Sequence, residues 1–192
     1  MKLMYELAIK LIDTYILISS FFNKKLKRIY EGRKSTFKYI DKNIDTQKKN
    51  ILIHVSSVGE FEQAKPIIDG FKSLNKFKII VSFFSSSVEN KIKEDKSVHH
   101  SFYLPSDSKK NMELLLEKIN PVILLLIKYE YWRNLILSSN KKSIPIISVS
   151  SIFRKSQFYI PLYSSFLINI LKKINLFLVQ NNDSVNLLKK NN

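Results

Sequence analysis

The sequence ILIHVSSVGEFEQ (residues 51–63) places an apolar run directly before a polar turn and a helical pattern. The apolar run covers residues 51–55, and it is followed by Gly59, one of only three glycines in the chain, and by Glu60. Apolar side chains then recur at helix spacing, at Phe61, Ala64, Ile68 and Phe71. The stretch predicts a buried strand and a following helix, with Glu60 near the first helical turn and Gly59 allowing a sharp bend before it.

The alternation of apolar runs and helical stripes continues along the rest of the chain. Further apolar runs lie at residues 78–84, 101–104, 122–127, 144–149 and 176–179. Strands without interrupting polar residues, separated by helices, are typical of a parallel sheet covered on both faces. The sequence therefore predicts an α/β fold, with a Rossmann-like doubly wound parallel sheet spanning residues 51–192.

Ligands of such a sheet bind outside the carboxyl ends of its strands, so the polar segments that directly follow the strands are candidates for a site. These segments are residues 56–60, 85–87, 105–107, 128–134 and 150–154. No G-x-G-x-x-G follows the first strand and the chain has no Walker A motif, so no nucleotide cofactor is expected. The chain has no cysteine and only three histidines, so a zinc site is not expected either.

Two carboxylates stand out in these segments, Glu60 after the first strand and Glu130 after the fourth. The neighbours of Glu130 are aromatic: Tyr129, Tyr131 and the only tryptophan, Trp132. Burial among aromatic rings raises the pKa of a carboxyl group toward a catalytically useful range. Each glutamate also has a simpler interpretation, in which an acid at a helix start complements the helix dipole. For Glu60, position alone favours this simpler interpretation.

Two other polar clusters receive structural interpretations. Ser85–Ser87 follows the second strand, and we expect it to cap the next helix rather than to contact a ligand. His99 and His100 precede the third strand, and we expect them to lie in a surface loop.

The N-terminal segment, residues 3–22, is largely apolar, and Glu6, Lys10 and Asp13 fall on one narrow arc of a helix. A basic cluster follows at residues 24–34. Three interpretations stay open: an anchor in the membrane interface with lysines on anionic headgroups, a helix packed on the globular domain, and a spanning helix. A cleaved signal peptide is excluded because the basic residues follow the apolar stretch.

The expected organisation therefore has three parts. Residues 1–34 form an amphipathic membrane-anchor helix and its basic cluster, residues 35–50 are a polar linker without a clear period, and residues 51–192 form the Rossmann-like domain. In either membrane interpretation the basic cluster keeps the domain on the cytoplasmic side.

The formal net charge is +16, from 32 Lys and Arg residues against 16 Asp and Glu residues. Such an excess favours anionic partners, namely nucleic acid, an anionic membrane surface or phosphorylated substrates. Arginine, which nucleic-acid readers use for base edges, occurs only at positions 28, 33, 133 and 154. A nucleic-acid partner is therefore not expected.

Four segments in order resemble blocks of a known enzyme family: HVSSVGE (54–60), YLPSD (103–107), IKYEYWRN (127–134) and FLVQNNDS (177–184). They are similar to the N-terminal half of the 3-deoxy-D-manno-octulosonic acid (Kdo) transferases, membrane-associated enzymes of lipopolysaccharide biosynthesis. The resemblance implies an inverting glycosyltransferase of the GT-B fold that transfers Kdo from CMP-Kdo to the lipid A precursor. It also implies a peripheral or monotopic location at the cytoplasmic face of the cell inner membrane, with no cofactor and no metal.

The resemblance also implies roles for single residues. Glu60 matches the general base of the family, and Glu130 matches a second essential acid. The residues expected to bind substrate are Ser57, Gly59, Trp132, Asn134 and Arg154. The chain departs from the family pattern at Lys128, where relatives have a glutamate, and at Arg133, where they have a proline. After Ser85–Ser87 it lacks the glycine found in many relatives.

The resemblance covers only the first domain of such an enzyme, so the donor-binding C-terminal domain is expected to be absent from this chain. A separate C-terminal chain is then a possible partner. An alternative function is a non-catalytic membrane-surface binding module, and a basic nucleic-acid-binding domain is a further alternative.

Overall fold

Six parallel strands form one sheet in the computed structural model, which describes residues 2–154, 156 and 161–191, without the side chains of residues 161–164 and 191. The strands are β1 Asn50–Val55, β2 Lys78–Phe83, β3 His100–Tyr103, β4 Pro121–Ile127, β5 Ile146–Ser151 and β6 Leu176–Val179. Each lies within about two residues of an apolar run in the sequence. The predicted Rossmann-like parallel sheet is confirmed.

The strand order in the sheet is β3-β2-β1-β4-β5-β6. All neighbouring strands are parallel. The chain winds outward in one direction from β1 and then in the other direction from β4. The order therefore reverses between β1 and β4, and the crevice outside this switch point is where doubly wound sheets bind their ligands.

The helices are α1 Lys2–Ser19, α2 Lys24–Asn43, α3 Val58–Ser73, α4 Glu89–Glu94, α5 Lys109–Ile119, α6 Arg133–Lys141, α7 Pro161–Leu171 and α8 Asn182–Asn191. Two apolar cores lie between the helices and the sheet, one on each face of the sheet. One core joins α5, α6 and α7 to the sheet face that carries Leu52 and Leu124. The other joins α3 and α4 to the face that carries Ile53 and Leu125. Both faces of the central strands are thus covered, which explains why these strands are largely apolar.

The linker predicted at residues 35–50 is corrected, because residues 35–43 are the second half of α2. This half packs on edge strand β3: the Thr36 hydroxyl donates to the Tyr103 carbonyl at 2.7 Å, and Ile40 is 1% exposed. At Gly32 the approach is so close that a Cβ would lie 2.1 Å from the Tyr103 ring. The few buried side chains of α2 lie among many polar ones, which hid the helical period in the sequence.

Helix α1 packs on the domain through one side only. Its buried apolar residues are Ile9 and Ile16, while the opposite side exposes large apolar residues, including Leu3, Met4, Leu7, Leu11, Ile12, Tyr15 and Ile18. Packing on the globular domain, one of the three interpretations, is therefore observed. Among the described residues, no helix combines the length and apolarity that crossing a bilayer requires.

Two smaller expectations are wrong. Ser85 and Ser87 do not cap α4, whose N-cap position is Val88 and has no side-chain hydrogen bond. Their hydroxyls instead bond each other at 2.8 Å. The surface-loop expectation is wrong for His100, which opens β3, whereas His99 lies partly exposed in the bend before β3, where its Nδ1 accepts a hydrogen bond from the Ile79 N–H.

Candidate active site

The segments that follow β1 and β4 meet at the switch point of the sheet. β1 and β4 are hydrogen-bonded neighbours, with His54 opposite Leu126. Because parallel strands end at the same edge, here called the rim, the first segment brings Glu60 and the second brings Glu130 to one place. The charge of Glu130 is close enough to influence the ionisation of Glu60.

Glu60 lies in the first turn of α3 and takes part in its capping. Ser57 is the N-cap residue, and its hydroxyl accepts a hydrogen bond from the Glu60 N–H at 3.4 Å. The Glu60 carboxylate in turn accepts a hydrogen bond from the Ser56 N–H at 2.5 Å. This reciprocal arrangement is close to a capping box. The helix-start interpretation of Glu60 is thus correct, and it also fixes the carboxylate at the rim.

The bend expected at Gly59 is not observed. Gly59 lies inside α3, and no glycine in the described part of the chain has a positive φ. A Cβ at this position would have no atom within 4 Å. Neither the backbone nor the packing therefore requires glycine at this position.

Burial raises the pKa of Glu60 above the ordinary value for glutamate. The Ser56 N–H opposes this effect by stabilising the carboxylate, as do the nearby His54 and Lys128, while the charge of Glu130 adds to it. The net effect is a raised pKa for Glu60. A carboxylate with a raised pKa is a stronger base, so the site suits Glu60 for proton abstraction.

Glu130 lies in a tighter pocket, with 15% of its side chain exposed. Its carboxylate accepts a hydrogen bond from the Trp132 indole N–H at 2.7 Å, and its Oε2 is 3.3 Å from His54 Nε2. Burial acts to raise its pKa, but His54, the Ser56 side chain and the Trp132 N–H outweigh burial, so the pKa of Glu130 lies below the ordinary value. The expectation that aromatic neighbours raise this pKa is wrong, because Trp132 contributes a hydrogen-bond donor.

His54 connects the two segments and was missed as a functional candidate. It is 0% exposed. Its Nδ1 is 3.0 Å from the Ser82 hydroxyl on β2, and its Nε2 is 3.0 Å from the Trp132 indole nitrogen. The signal in the sequence was a single titratable residue inside the apolar run 51–55, in a strand that is buried on both faces. A polar group in such a place needs partners, and here the partners belong to the candidate site.

Trp132 is held in one orientation by a stack of side chains. Its ring lies 5.7 Å from the Phe84 ring at an interplanar angle of 17°. The Arg33 guanidinium of α2 lies 4.7 Å from the centroid of the same Phe84 ring. The indole N–H therefore points at Glu130 and His54, and the immediate role of Trp132 in the structure is to hold Glu130.

Asn134 and Asp107 form the base of the same loop. The buried Asp107 carboxylate accepts hydrogen bonds at 2.9 Å from the backbone N–H groups of Asn134 and Leu135, which lie in the first turn of α6. It also accepts a hydrogen bond from the Tyr5 hydroxyl of α1 at 2.6 Å. The side-chain amide of Asn134 donates to the Asp107 carbonyl. Asn134 is thus committed to the loop structure, and Asp107, which lies in a candidate segment but had no predicted role, joins α1 to the start of α6.

Burial raises the pKa of Asp107 to about 6, although its hydrogen bonds from Tyr5, Asn134 and Leu135 act in the opposite direction. Arg154, the remaining expected substrate ligand, follows β5 and is exposed. The structure therefore brings together Ser57, Glu60, Glu130 and Trp132, while it places Asn134 beneath them and Arg154 beyond β5. In the part of the chain that the structure describes, no three His, Asp or Glu side chains are grouped to hold a metal ion.

Comparison with known proteins identifies the family. The model of the 3-deoxy-D-manno-octulosonic-acid transferase (kdotransferase) family matches residues 31–191, which is most of the chain. The chain belongs to this family. It contains the family's N-terminal domain, as the four sequence blocks had indicated.

A curated relative and two solved structures are similar to the Kdo transferase domain described above. The relative is a bifunctional glycosyltransferase/methyltransferase of Fusobacterium nucleatum subsp. nucleatum, 33% identical over 169 residues that make up 85% of this chain. The chain spans only 24% of that relative's length.

The two structures are UDP-GlcNAc 2-epimerase from Methanocaldococcus jannaschii and a putative UDP-N-acetylglucosamine 2-epimerase from Listeria monocytogenes. They are 15% and 11% identical to this chain, and both have a TM-score of 0.54. The matches cover 73% and 74% of this chain and 42% and 41% of the epimerases. At this level of identity the likeness confirms the fold and says nothing of the reaction.

Proposed function

We propose that this chain is the acceptor-side domain of an inverting glycosyltransferase of the GT-B fold that transfers Kdo from CMP-Kdo to the lipid A precursor. The observation that carries the proposal is the pair of glutamates at the switch point, with the pKa of Glu60 raised and the pKa of Glu130 lowered. Two carboxylates whose pKa values are shifted apart are suited to different roles in one reaction.

In this proposal Glu60 acts as the general base. Its carboxylate takes the proton from the acceptor hydroxyl while that oxygen forms a bond to the anomeric carbon of Kdo. The bond from the anomeric carbon to CMP breaks on the opposite side, and the CMP phosphate leaves with the electron pair. The reaction therefore inverts the anomeric centre, and the proton ends on Glu60.

Glu130 has a supporting role in the same proposal. Its lowered pKa keeps it ionised, and hydrogen bonding to Trp132 fixes its position. Its negative charge helps to raise the pKa of Glu60. Glu130 thus makes Glu60 a better proton acceptor and presents a fixed anion beside the acceptor hydroxyl.

A donor-binding domain is expected to complete the cleft, either in the same protein or as a separate chain. The Glu60 and Glu130 side chains face the rim, which is where the second domain of a GT-B enzyme would lie. The structure includes no such domain, and we propose that the transferase activity requires it.

Helix α1 supports the membrane part of the proposal. Its inner side is tied to the domain by the Tyr5–Asp107 hydrogen bond and by the ion pair of Asp13 with Arg33 at 3.2 Å. This docking turns Leu7 and Leu11, which are 57% and 61% exposed, away from the domain. A helix that docks one side on the domain and leaves a free apolar side suits insertion into the interface of an anionic bilayer. We propose peripheral attachment to the cytoplasmic face of the inner membrane.

The experiment that tests the proposed reaction is a transfer assay with CMP-Kdo and the tetraacylated lipid A precursor. The chain should be assayed alone and together with, or fused to, a donor-binding domain from a Kdo transferase. We expect transfer only when both domains are present. Absence of transfer with a folded donor-binding domain, combined with retained vesicle binding, would favour the non-catalytic membrane-surface module instead.

The attachment is tested separately by flotation with vesicles that contain anionic phospholipid. Leu7→Glu and Leu11→Glu together should release the chain from the vesicles, because each puts a charge on the exposed apolar side of α1. Lys110→Glu, an exposed charge reversal on α5, is the control for the change in net charge. Equal loss of flotation in both variants would point to diffuse charge attraction rather than insertion of α1.

A further inference from the structure

A basic pocket lies at the amino ends of β1 and β2, at the edge of the sheet opposite to the candidate active site. The pocket has a volume of about 420 Å³, and its lining includes His99 and the lysines Lys48, Lys49, Lys72, Lys76 and Lys78. Within the described residues, none of these lysines forms an ion pair with a carboxylate, although lysines elsewhere in the chain do. The pocket therefore concentrates positive charge without compensation.

The backbone brings the Cα atoms of these lysines close together. Asn75 ends the turn after α3 with a φ of 52°, which sends the chain back so that Lys78 begins β2 beside the last turn of α3, where Lys72 lies. The Lys78 N–H donates to the Lys49 carbonyl at 2.9 Å and brings that residue alongside. The lysines thus come from three segments that the fold holds together, rather than from one flexible run.

His99 supplies a hydrogen-bond donor of fixed direction. Its Nδ1 accepts the Ile79 N–H at 3.0 Å, while its own backbone N–H donates to the Ile79 carbonyl at 2.9 Å. Because Nδ1 is an acceptor, the ring proton of neutral His99 is on Nε2. Burial, the charges of Lys72 and Lys78, and neighbouring His100 together lower the pKa of His99 to about 4. At neutral pH the ring is therefore neutral and carries one N–H.

This N–H faces another donor. The His99 Nε2 is 3.4 Å from the Lys72 Nζ, so an imidazole N–H and an ammonium group meet without an acceptor between them. Two donors at this distance repel each other unless an anion accepts a hydrogen bond from each of them. An oxyanion with several acceptor oxygens satisfies both donors and neutralises the surrounding lysines at the same time.

We propose that this pocket binds a phosphate group, with the His99 Nε2–H and the Lys72 ammonium as its central donors. A phosphate, with one or two negative charges and several acceptor oxygens, suits a pocket with five lysines better than a single carboxylate does, because it can accept hydrogen bonds from several donors at once while each lysine acts on it as a point charge. The pocket is separated from Glu60 and Glu130 by the length of the strands. This inference is therefore independent of the proposed transfer reaction.

The test is an NMR titration of the histidine side chains with inorganic phosphate at constant ionic strength, with chloride as the replaced anion. A bound phosphate stabilises the imidazolium, so the pKa of His99 should rise from about 4 toward the ordinary histidine value, while His100, which does not line the pocket, should change much less. Lys72→Gln should weaken phosphate binding at least fivefold. Lys110→Gln, an exposed lysine on α5, should leave it within twofold.

A second arm distinguishes a free phosphate from a lipid headgroup. Binding of the wild type and the Lys72→Gln variant is compared on phosphatidylcholine vesicles with and without phosphatidic acid, whose headgroup is a phosphate monoester. A Lys72-dependent gain on phosphatidic acid alone assigns the pocket to a lipid phosphate, and a Lys72-dependent response to inorganic phosphate assigns it to a soluble one. Equal effects of the Lys72 and Lys110 substitutions in both arms, or equal responses of His99 and His100, would overturn the proposal.

Discussion

The segments after β1 and β4 each place one glutamate at the same rim, yet the two carboxylates have opposite surroundings. Glu60 accepts one backbone N–H and is left with a raised pKa. Glu130 is more deeply enclosed, which acts to raise its pKa, but the Trp132 N–H together with the neighbouring His54 and Ser56 side chains gives it a lowered pKa. Burial acts in the same direction on both groups, so the difference shows that the number and kind of hydrogen-bond donors decide the ionisation of each carboxylate.

The largest effect expected from this contrast concerns Glu60. In the proposed two-domain enzyme, Glu60→Gln should lower kcat about 10²–10⁴-fold, because that is the usual contribution of a positioned general base. Glu62→Gln is the matched control, since Glu62 is two residues away on the same helix, is exposed and pairs with Lys91 at the surface. A steady-state assay of both variants checks this. If Glu60→Gln keeps wild-type kcat, Glu60 is a capping residue only.

The next effect concerns His54, which helps to make the pKa of Glu130 lower than that of Glu60. His54→Phe removes the ring nitrogens next to Glu130, so the pKa of Glu130 should rise and transfer should fall about 10–100-fold, which corresponds to the roughly 1.5–3 kcal/mol of a hydrogen bond to a charged group. His54→Gln keeps an amide that can donate to Glu130 and should restore part of the activity.

Fluorescence of Trp132 provides a readout without substrate, because it is the only tryptophan in the chain and its N–H is shared by Glu130 and His54. Its emission should change with pH differently in the His54→Phe and His54→Gln variants. Equal loss of activity in both variants, with unchanged emission, would mean that His54 is only a core residue.

A smaller effect concerns Asp107, the third carboxylate at the rim. Its folded-state pKa of about 6 lies above the ordinary aspartate value, so the stability that it contributes at low pH is lost as the pH rises through 6. Asp107→Asn cannot ionise. We therefore expect its unfolding free energy to fall less between pH 4 and pH 7 than that of the wild type, by about 1–3 kcal/mol.

Urea unfolding across this pH range measures the difference. Asp41→Asn is the control, because Asp41 is half exposed and pairs with Lys118 at the surface. If the unfolding free energy changes with pH equally in Asp107→Asn and the wild type, Asp107 ionises at no cost to the stability of the folded state. Its pKa would then not be raised by burial.

The sequence predicted the parts of the fold that depend on local pattern. Each strand was readable because its core is a run of apolar residues, as expected for a parallel sheet covered by helices, and Glu60 and Glu130 were readable because polar residues directly follow β1 and β4. Helix α2 was hidden over residues 35–43, since Thr36 and Ile40 are among its few buried side chains and the rest of its surface is polar.

The details of the site depend on contacts between distant segments. Trp132 and His54 are 78 residues apart in the sequence, and their approach follows from the adjacency of β1 and β4, which no local pattern encodes. The direction of the Glu130 pKa was therefore wrongly predicted from its neighbours in the sequence. The docking of Tyr5 on Asp107 was hidden for the same reason, because it joins α1 to the loop that follows β3.

The central claim is that the two glutamates differ in ionisation before any substrate binds, and NMR titration of their side-chain carboxyl carbons in this chain tests it most directly. We expect the pKa of Glu60 above, and the pKa of Glu130 below, the value of about 4.3 for an ordinary glutamate. In Glu130→Gln the pKa of Glu60 should fall, because a neighbouring negative charge is removed. Equal pKa values for the two groups, or the reverse order, would contradict the assignment of Glu60 as the base and Glu130 as the fixed anion.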